Sequence, residues 1–191
     1  MSYYGRLGKS LKFAQAKYIS LLHTRPVITK AATSGVLYFI SDSISQYIEN
    51  LQHEKEKRKP FQLDRALRMA TFGFCMTGPV FHYWYLILDT KFPKKKTSHV
   101  LMKSALDQII CAPIFDAIFF IGMGVLERKS WEQIKEKLKK DWLYTYLVDC
   151  SVWPFFNIFS FKYIPNNQRV TVMNLFNISW TAFLAYTNNS H

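Results

Sequence analysis

The chain has 191 residues, 49% of them hydrophobic and 17% aromatic, which excludes intrinsic disorder and leaves room for one domain. It carries 25 Lys and Arg against 13 Asp and Glu, a net charge of +12 that in a soluble protein would point to nucleic acid. The charges are segregated, however: positions 69–88 form a run of 20 residues without Lys, Arg, Asp or Glu, and positions 170–191 form another of 22. Each run is long enough to cross a hydrocarbon layer of about 30 Å at about 1.5 Å per residue. The mean hydropathy of −0.05 averages such spans with strongly basic connections. The pattern predicts an all-α fold, a polytopic membrane helix bundle of four to five transmembrane helices, forming a single integral membrane domain over 1–191.

The amino-terminal segment, 1–26, is basic and amphipathic. Arg6, Lys9, Lys12, Lys17 and Arg25 precede the first acid, Asp42, and Leu7, Leu11, Ala14, Tyr18 and Leu21 recur at helical spacing. Two readings remain open: a mitochondrial presequence, or a mature helix lying on anionic lipid, cardiolipin included. Both favour an organelle membrane.

Candidate membrane helices follow at 27–49, 66–88, 104–126, 143–163 and 170–187. In the first, Ser34, Ser41, Asp42, Ser45, Gln46 and Glu49 share one face, opposite Leu37, Ile40, Ile44 and Ile48. In the second, Thr71, Cys75, Gly78, His82, Tyr85 and Asp89 form a small and polar stripe. In the third, Gln108, Ala112 and Asp116 line one side. Asp107 lies nine residues before Asp116, half a turn away on a straight helix, unless Pro113 bends the axis. Between the third and fourth, Trp131, Ile134, Leu138 and Trp142 make one apolar stripe on an otherwise charged helix over 131–142, which predicts an interfacial element. In the fourth, Asp149, Trp153, Asn157 and Ser160 stack on one face, and Pro154 interrupts it.

A charged side chain at membrane depth costs about 2.5–3.5 kcal/mol on insertion scales, so such groups face the bundle interior or water. The stripes therefore have two readings: a polar path for solutes, or hydrogen bonds between packed helices. Under the first, Asp42, Gln46, His82, Gln108, Asp116, Asp149, Asn157 and Ser160 are the candidate lining or interhelical residues. Arg65, Arg68 and Arg169, near the segment ends, could pair with those acids or attract anions. Lys and Arg divide 13 against 12 between the two sides of a five-span topology, so the positive-inside rule gives no orientation.

Catalytic signals are lacking. Among five histidines only His82 falls in an apolar segment, and no metalloprotease, nucleophile-elbow, phosphate-loop or dinucleotide pattern occurs. Gly122 and Gly124 lack a third glycine and read as tight packing. Cys75, Cys111 and Cys150 are odd in number and far apart, as for structural thiols without metal or disulfide. No cofactor, no enzymatic activity and no direct nucleic-acid partner are expected.

Taken in order, Asp42 with Gln46, Asp64-Arg65 through Arg68, Gly73, Gly78-Pro79, His82, Trp84-Tyr85, Lys103, Asp107-Gln108, Pro113, Trp153-Pro154, Phe161, Pro165, Arg169, Trp180 and Tyr186 form a pattern spread over most of the chain. The chain resembles the Mpv-seventeen family, also called the 22-kilodalton peroxisomal membrane protein family. It departs from the family's usual run after Trp-Pro: Asn157 stands in the Gln place and Ser160 in the Asn place. On this resemblance Gly78, Pro79, Trp84, Tyr85, Asp107, Pro113, Trp153, Pro154, Pro165 and Trp180 are structural motif positions. The resemblance implies a multi-pass protein of the mitochondrial inner or the peroxisomal membrane, channel-like, and linked in mitochondria to nucleotide pools and mitochondrial DNA. The basic start favours mitochondria. The expected partners are anionic membrane lipids and either further copies of the chain or a large inner-membrane protein complex. The alternative function is that of a structural accessory subunit of a respiratory or ATP-synthase complex.

Overall fold

The computed structural model describes residues 3–52 and 58–188, and every regular element among them is helical. The basic connection at 53–57 and the side chains of Leu7 and Leu11 lie outside the described residues. Seven helices follow one another: α1 (Tyr3–Thr24), α2 (Pro26–Gln52), α3 (63–91), α4 (Thr97–Leu126), α5 (Trp131–Cys150), α6 (Trp153–Tyr163) and α7 (Asn166–Asn188). The bundle buries polar and apolar side chains in nearly equal number and exposes many large apolar ones. Among the described residues 16 buried ones are polar or charged against 14 apolar, while Ile40, Leu86, Ile87, Ile109, Ile114 and Phe155 are exposed. In water such an arrangement would forfeit the hydrophobic driving force, whereas lipid satisfies the outer face and leaves the inner polar groups to bond each other.

Helix α4 is long and apolar enough to cross a membrane, and only 11% of its most apolar stretch is buried in the bundle. Among the described residues it alone meets that measure. Buried Ser, Asp and Gln side chains lower the hydropathy of α2, and Asn and Thr do so in α7. The all-helical architecture is thus established, whereas the number of crossings does not follow from it.

Helices α3 and α4 each contain one π-helical turn, Gly73–Thr77 and Asp107–Cys111, placed just ahead of Pro79 and Pro113. Proline has no N–H and its ring crowds the carbonyl four residues back, and a turn widened by one residue relieves both problems. The wide turn also shifts the faces of the helix by roughly 100°, the angle of one residue. In α3 it breaks the expected stripe: Thr71 and Cys75 are exposed, whereas Gly73, Thr77 and Gly78 are buried. In α4 it reduces the offset between Asp107 and Asp116 from roughly 180° to roughly 80°, so both face the bundle.

Two elements differ from the expected segments. The helix that starts at Trp131, capped by the Ser130 hydroxyl and Gln133, continues unbroken to Cys150. It packs on α4: Ile134 fits over Gly124, where a Cβ would lie 2.6 Å from Ile134 Cγ1, and the Trp142 indole donates to the Pro113 carbonyl at 2.9 Å. The chain then breaks at Ser151–Val152, so the segment 143–163 is divided between α5 and α6.

Candidate functional site

Side by side, α2 and α7 pack along their length, and their polar residues meet across the seam. The Asn174 amide donates to Ser34 Oγ at 2.6 Å, Ser41 Oγ lies 2.5 Å from Thr181 Oγ1, and Tyr18 of α1 joins Thr33 and Thr171 at 3.1 and 2.6 Å. Lower on α2, the Arg65 guanidinium contacts Asp42 at 2.8 Å and takes Glu49 in a two-point contact at 2.9 Å. Gln46 completes this junction by donating to Asp42 at 2.7 Å and accepting the Gln62 amide at 2.8 Å. Asp42 and Gln46 therefore fasten α2 to the start of α3, where Gln46 lines a small pocket of about 110 Å³. Arg68 pairs with exposed Asp64 at 2.7 Å. The Asp64 carboxyl is held below its ordinary range chiefly by that hydrogen bond.

A second polar centre lies at the opposite end of α3. Asp89, one residue beyond the second apolar segment, meets Lys103 at 2.5 Å, Asn166 at 2.8 Å and Arg169 at 2.9 Å. Burial alone would raise the Asp89 carboxyl, but those three donors outweigh it and hold the group below its ordinary value. Lys103 and Arg169 are themselves buried, and the guanidinium stacks over Phe161 at 4.8 Å. Nearby, Lys30 Nζ lies 3.1 Å from His82 Nδ1 and donates to the Asn166 carbonyl at 3.2 Å. His82 thus belongs to this end cluster. Sequence reasoning singled out Arg169 and His82 but not the ion pair of Asp89 with Lys103, which joins helices 14 residues apart in sequence.

Between these two fastened ends, α2 to α7 surround a central cavity of about 220 Å³. Gln108, Asp116 and Asp149 line it, as does Asp107, which the resemblance alone had marked as structural. Asp107 is held by the Trp84 indole at 2.7 Å and the Asn157 amide at 2.6 Å, so Asn157 acts one step behind the wall, through the carboxylate. Ser160 is fully buried and also lies outside the lining. Trp153 and Trp180 are on the wall, together with Tyr38, Phe81, Tyr85, Phe115 and Phe119. Asn174, Asn177 and Thr181 add a polar edge from α7; their spacing of three and four residues was legible in the sequence, although no charge drew the eye to it. Among the described residues no Lys, Arg or His lines the cavity. The Gln108 amide donates to Cys150 Sγ at 3.1 Å, yet its oxygen, like Asp116 Oδ2, is buried without a partner.

Of the remaining motif positions, Gly78 permits the closest approach in the bundle: a Cβ there would lie 2.4 Å from Ala31 Cα. Pro79 and Pro113 accompany the wide turns, and Pro154 begins α6. Pro165 sits in the short link before α7, where its carbonyl accepts the Gln168 amide at 3.0 Å. Tyr85 is fully buried and donates its hydroxyl to Met173 Sδ. Cys111 is buried and Cys150 half-buried, but Cys75 is exposed because the wide turn in α3 rotates it outward.

Comparison with known proteins places this architecture. A sequence profile of the Mpv17 / PMP22 family matches residues 124–185. The chain is 55% identical to PXMP2/4 family protein 4 of Dictyostelium discoideum over 97% of its length and 99% of that protein's. It is 32% identical to peroxisomal membrane protein 2 of Bos taurus, over 94% of this chain and 91% of the relative. With the mitochondrial inner membrane protein Mpv17 of Xenopus laevis it shares 33% identity, over 90% of this chain and 95% of the relative. No solved structure matches it. On these similarities along nearly its entire length, the chain belongs to the Mpv17 / PMP22 family.

Proposed function

We propose that the chain is a non-enzymatic, multi-pass protein of an organelle membrane, and that it gives small solutes a path through the central cavity. The observation that carries this reading is a largely aromatic chamber of about 220 Å³, with a few carboxyl and amide groups on its wall, inside a bundle that exposes many large apolar side chains. Polar atoms left without partners cost about 1–3 kcal/mol each, a cost that a passing solute able to bond them would offset. Gln108 Oε1 and Asp116 Oδ2 are two such atoms on the cavity wall. Relatives named for the mitochondrial inner membrane and for the peroxisome support an organelle membrane. The basic amino-terminal segment favours the mitochondrial inner membrane, with anionic lipids such as cardiolipin as neighbours.

The test is flux through purified protein reconstituted in lipid vesicles or planar bilayers. Solute flux above protein-free vesicles, altered in Asp116→Asn and blocked by the cavity-filling Ala112→Phe, is the expected result. His82→Ala, which lies in the end cluster, leaves conductance unchanged. Vesicles no leakier than protein-free controls, or equal flux in wild type, Asp116→Asn and Ala112→Phe, would rule the cavity out as the path.

A further inference from the structure

We infer that the central cavity is a binding site for a small organic ammonium ion, a protonated amine, which names the solute class and rests on the cavity being the solute-holding part of the path. Its wall carries three carboxylates, Asp107, Asp116 and Asp149, and no basic side chain. The buried cations have other partners: Lys103 and Arg169 are engaged with Asp89, and Lys30 with His82 and the Asn166 carbonyl. Three acids thus share a low-dielectric chamber with no basic side chain on its wall, where a cation with hydrogen-bonding protons offsets the cost of burying carboxylates.

The unsatisfied groups specify what kind of cation fits. Gln108 is 9% exposed, and its Oε1 is an acceptor without a donor; Asp116 Oδ2 is a second. Both await a hydrogen-bond donor; an ammonium supplies one together with the positive charge that the neighbouring acids favour, which an alcohol, an ether or an anion does not. The rest of the wall is aromatic: Trp153 and Trp180 face the cavity alongside Phe115. Ring faces attract an ammonium within about 6 Å of the centroid and also accommodate its carbon chain. Metal ligation is the weaker match to this wall. Among the described residues no three His, Cys, Asp or Glu side chains gather closely enough to hold an ion, so the carboxylates are dispersed around a chamber. At about 220 Å³ the cavity holds a molecule of several heavy atoms rather than one water.

The experiment uses three probes of equal chain length that differ in their ends: 1,4-diaminobutane, 1,4-butanediol and succinate. Each is titrated into full-length protein in a neutral detergent, so that anionic lipid does not bind the amine, and binding is read from tryptophan fluorescence and calorimetry. Saturable binding of the diamine, at least tenfold weaker in Asp116→Asn and in Asp149→Asn and absent for the diol and succinate, is expected. Gln108→Leu, which keeps the charge and removes the free acceptor, weakens binding by about three- to tenfold. Thermal unfolding of each variant shows whether it is folded, and a variant that does not fold is replaced by Phe115→Leu, which removes a ring and no charge.

The inference is overturned if succinate binds as tightly as the diamine, if no probe binds, or if folded Asp116→Asn and Asp149→Asn bind it as wild type does. Parallel flux measurements in phosphatidylcholine vesicles separate this inference from the permeation reading. Diamine binding to a protein whose vesicles pass no solute upholds the site and removes the path. Vesicles that pass succinate as readily as the diamine keep the path and remove the amine site.

Discussion

The seam between α2 and α7 and the wall of the central cavity are built from the same kinds of side chain, yet they differ in one respect. In the seam every polar group named above has its partner, Ser34 with Asn174 and Ser41 with Thr181, and at the adjoining α2–α3 junction Asp42 is held by Arg65 and Gln46. On the cavity wall Gln108 and Asp116 each keep a buried acceptor without a donor. A stripe of polar residues on a membrane helix is therefore ambiguous by itself. What distinguishes a zipper from a chamber is whether the opposite helix brings a complement, and a single helix cannot show that.

The difference is sharpest at the fastened ends, where the largest effects are expected. Asp89→Ala leaves Lys103 and Arg169 buried without their counter-charge and lowers stability by about 3–5 kcal/mol, measured by thermal or denaturant unfolding in detergent. The pH dependence has a definite sign. Because the folded state holds the Asp89 carboxyl below its ordinary value, its contribution is complete above that value and is lost as pH falls through the depressed one, below about pH 4. Wild-type protein therefore has an acid-sensitive component of stability that Asp89→Ala lacks. Equal acid sensitivity in the two proteins would deny Asp89 this role.

Packing at the helix crossing ranks next. A Cβ at Gly78 would sit 2.4 Å from Ala31 Cα and 2.6 Å from Ala31 N, both backbone atoms that cannot rotate away. Gly78→Ala is expected to cost about 1–3 kcal/mol through the forced separation of α2 from α3. An unfolding temperature equal to wild type would mean that the crossing is looser than described.

These two predictions also show what could be read from the chain and what could not. The helical fold, the inward face of α2 and the disruptive effect of Pro154 follow from periodicity and from proline's missing donor. The wide turns do not. Proline in a helix predicts disturbance, but whether the helix kinks or inserts a residue depends on neighbours such as Ser34 and Tyr38, which crowd Gly73. That choice moved Thr71 and Cys75 out of the expected stripe and brought Asp107 to the same cavity as Asp116. Likewise Asp42 and Gln46 had the composition of a lining, and only the position of Arg65 and Gln62 across the junction made them a clamp. Residue type told which helices carry inward polar groups; burial and partnership of each required three dimensions.

The smallest effect on stability tests the comparison most directly. Ser41→Ala removes one hydroxyl from the seam and leaves Thr181 with its bonds to the Asn177 and Ile178 carbonyls, so about 0.6–1 kcal/mol is lost and solute flux is unchanged. Asp116→Asn removes a charge whose Oδ2 has no partner, so stability holds or rises slightly, while flux and diamine binding fall. The two substitutions are equally modest in volume, and each acts within the same bundle. If the seam is packing and the cavity is the functional chamber, unfolding and transport respond to different members of the pair. A single ordering, in which both substitutions lower stability and transport together, would mean that the cavity acids are helix contacts like Ser41, joined through a rearrangement of α4 against α5.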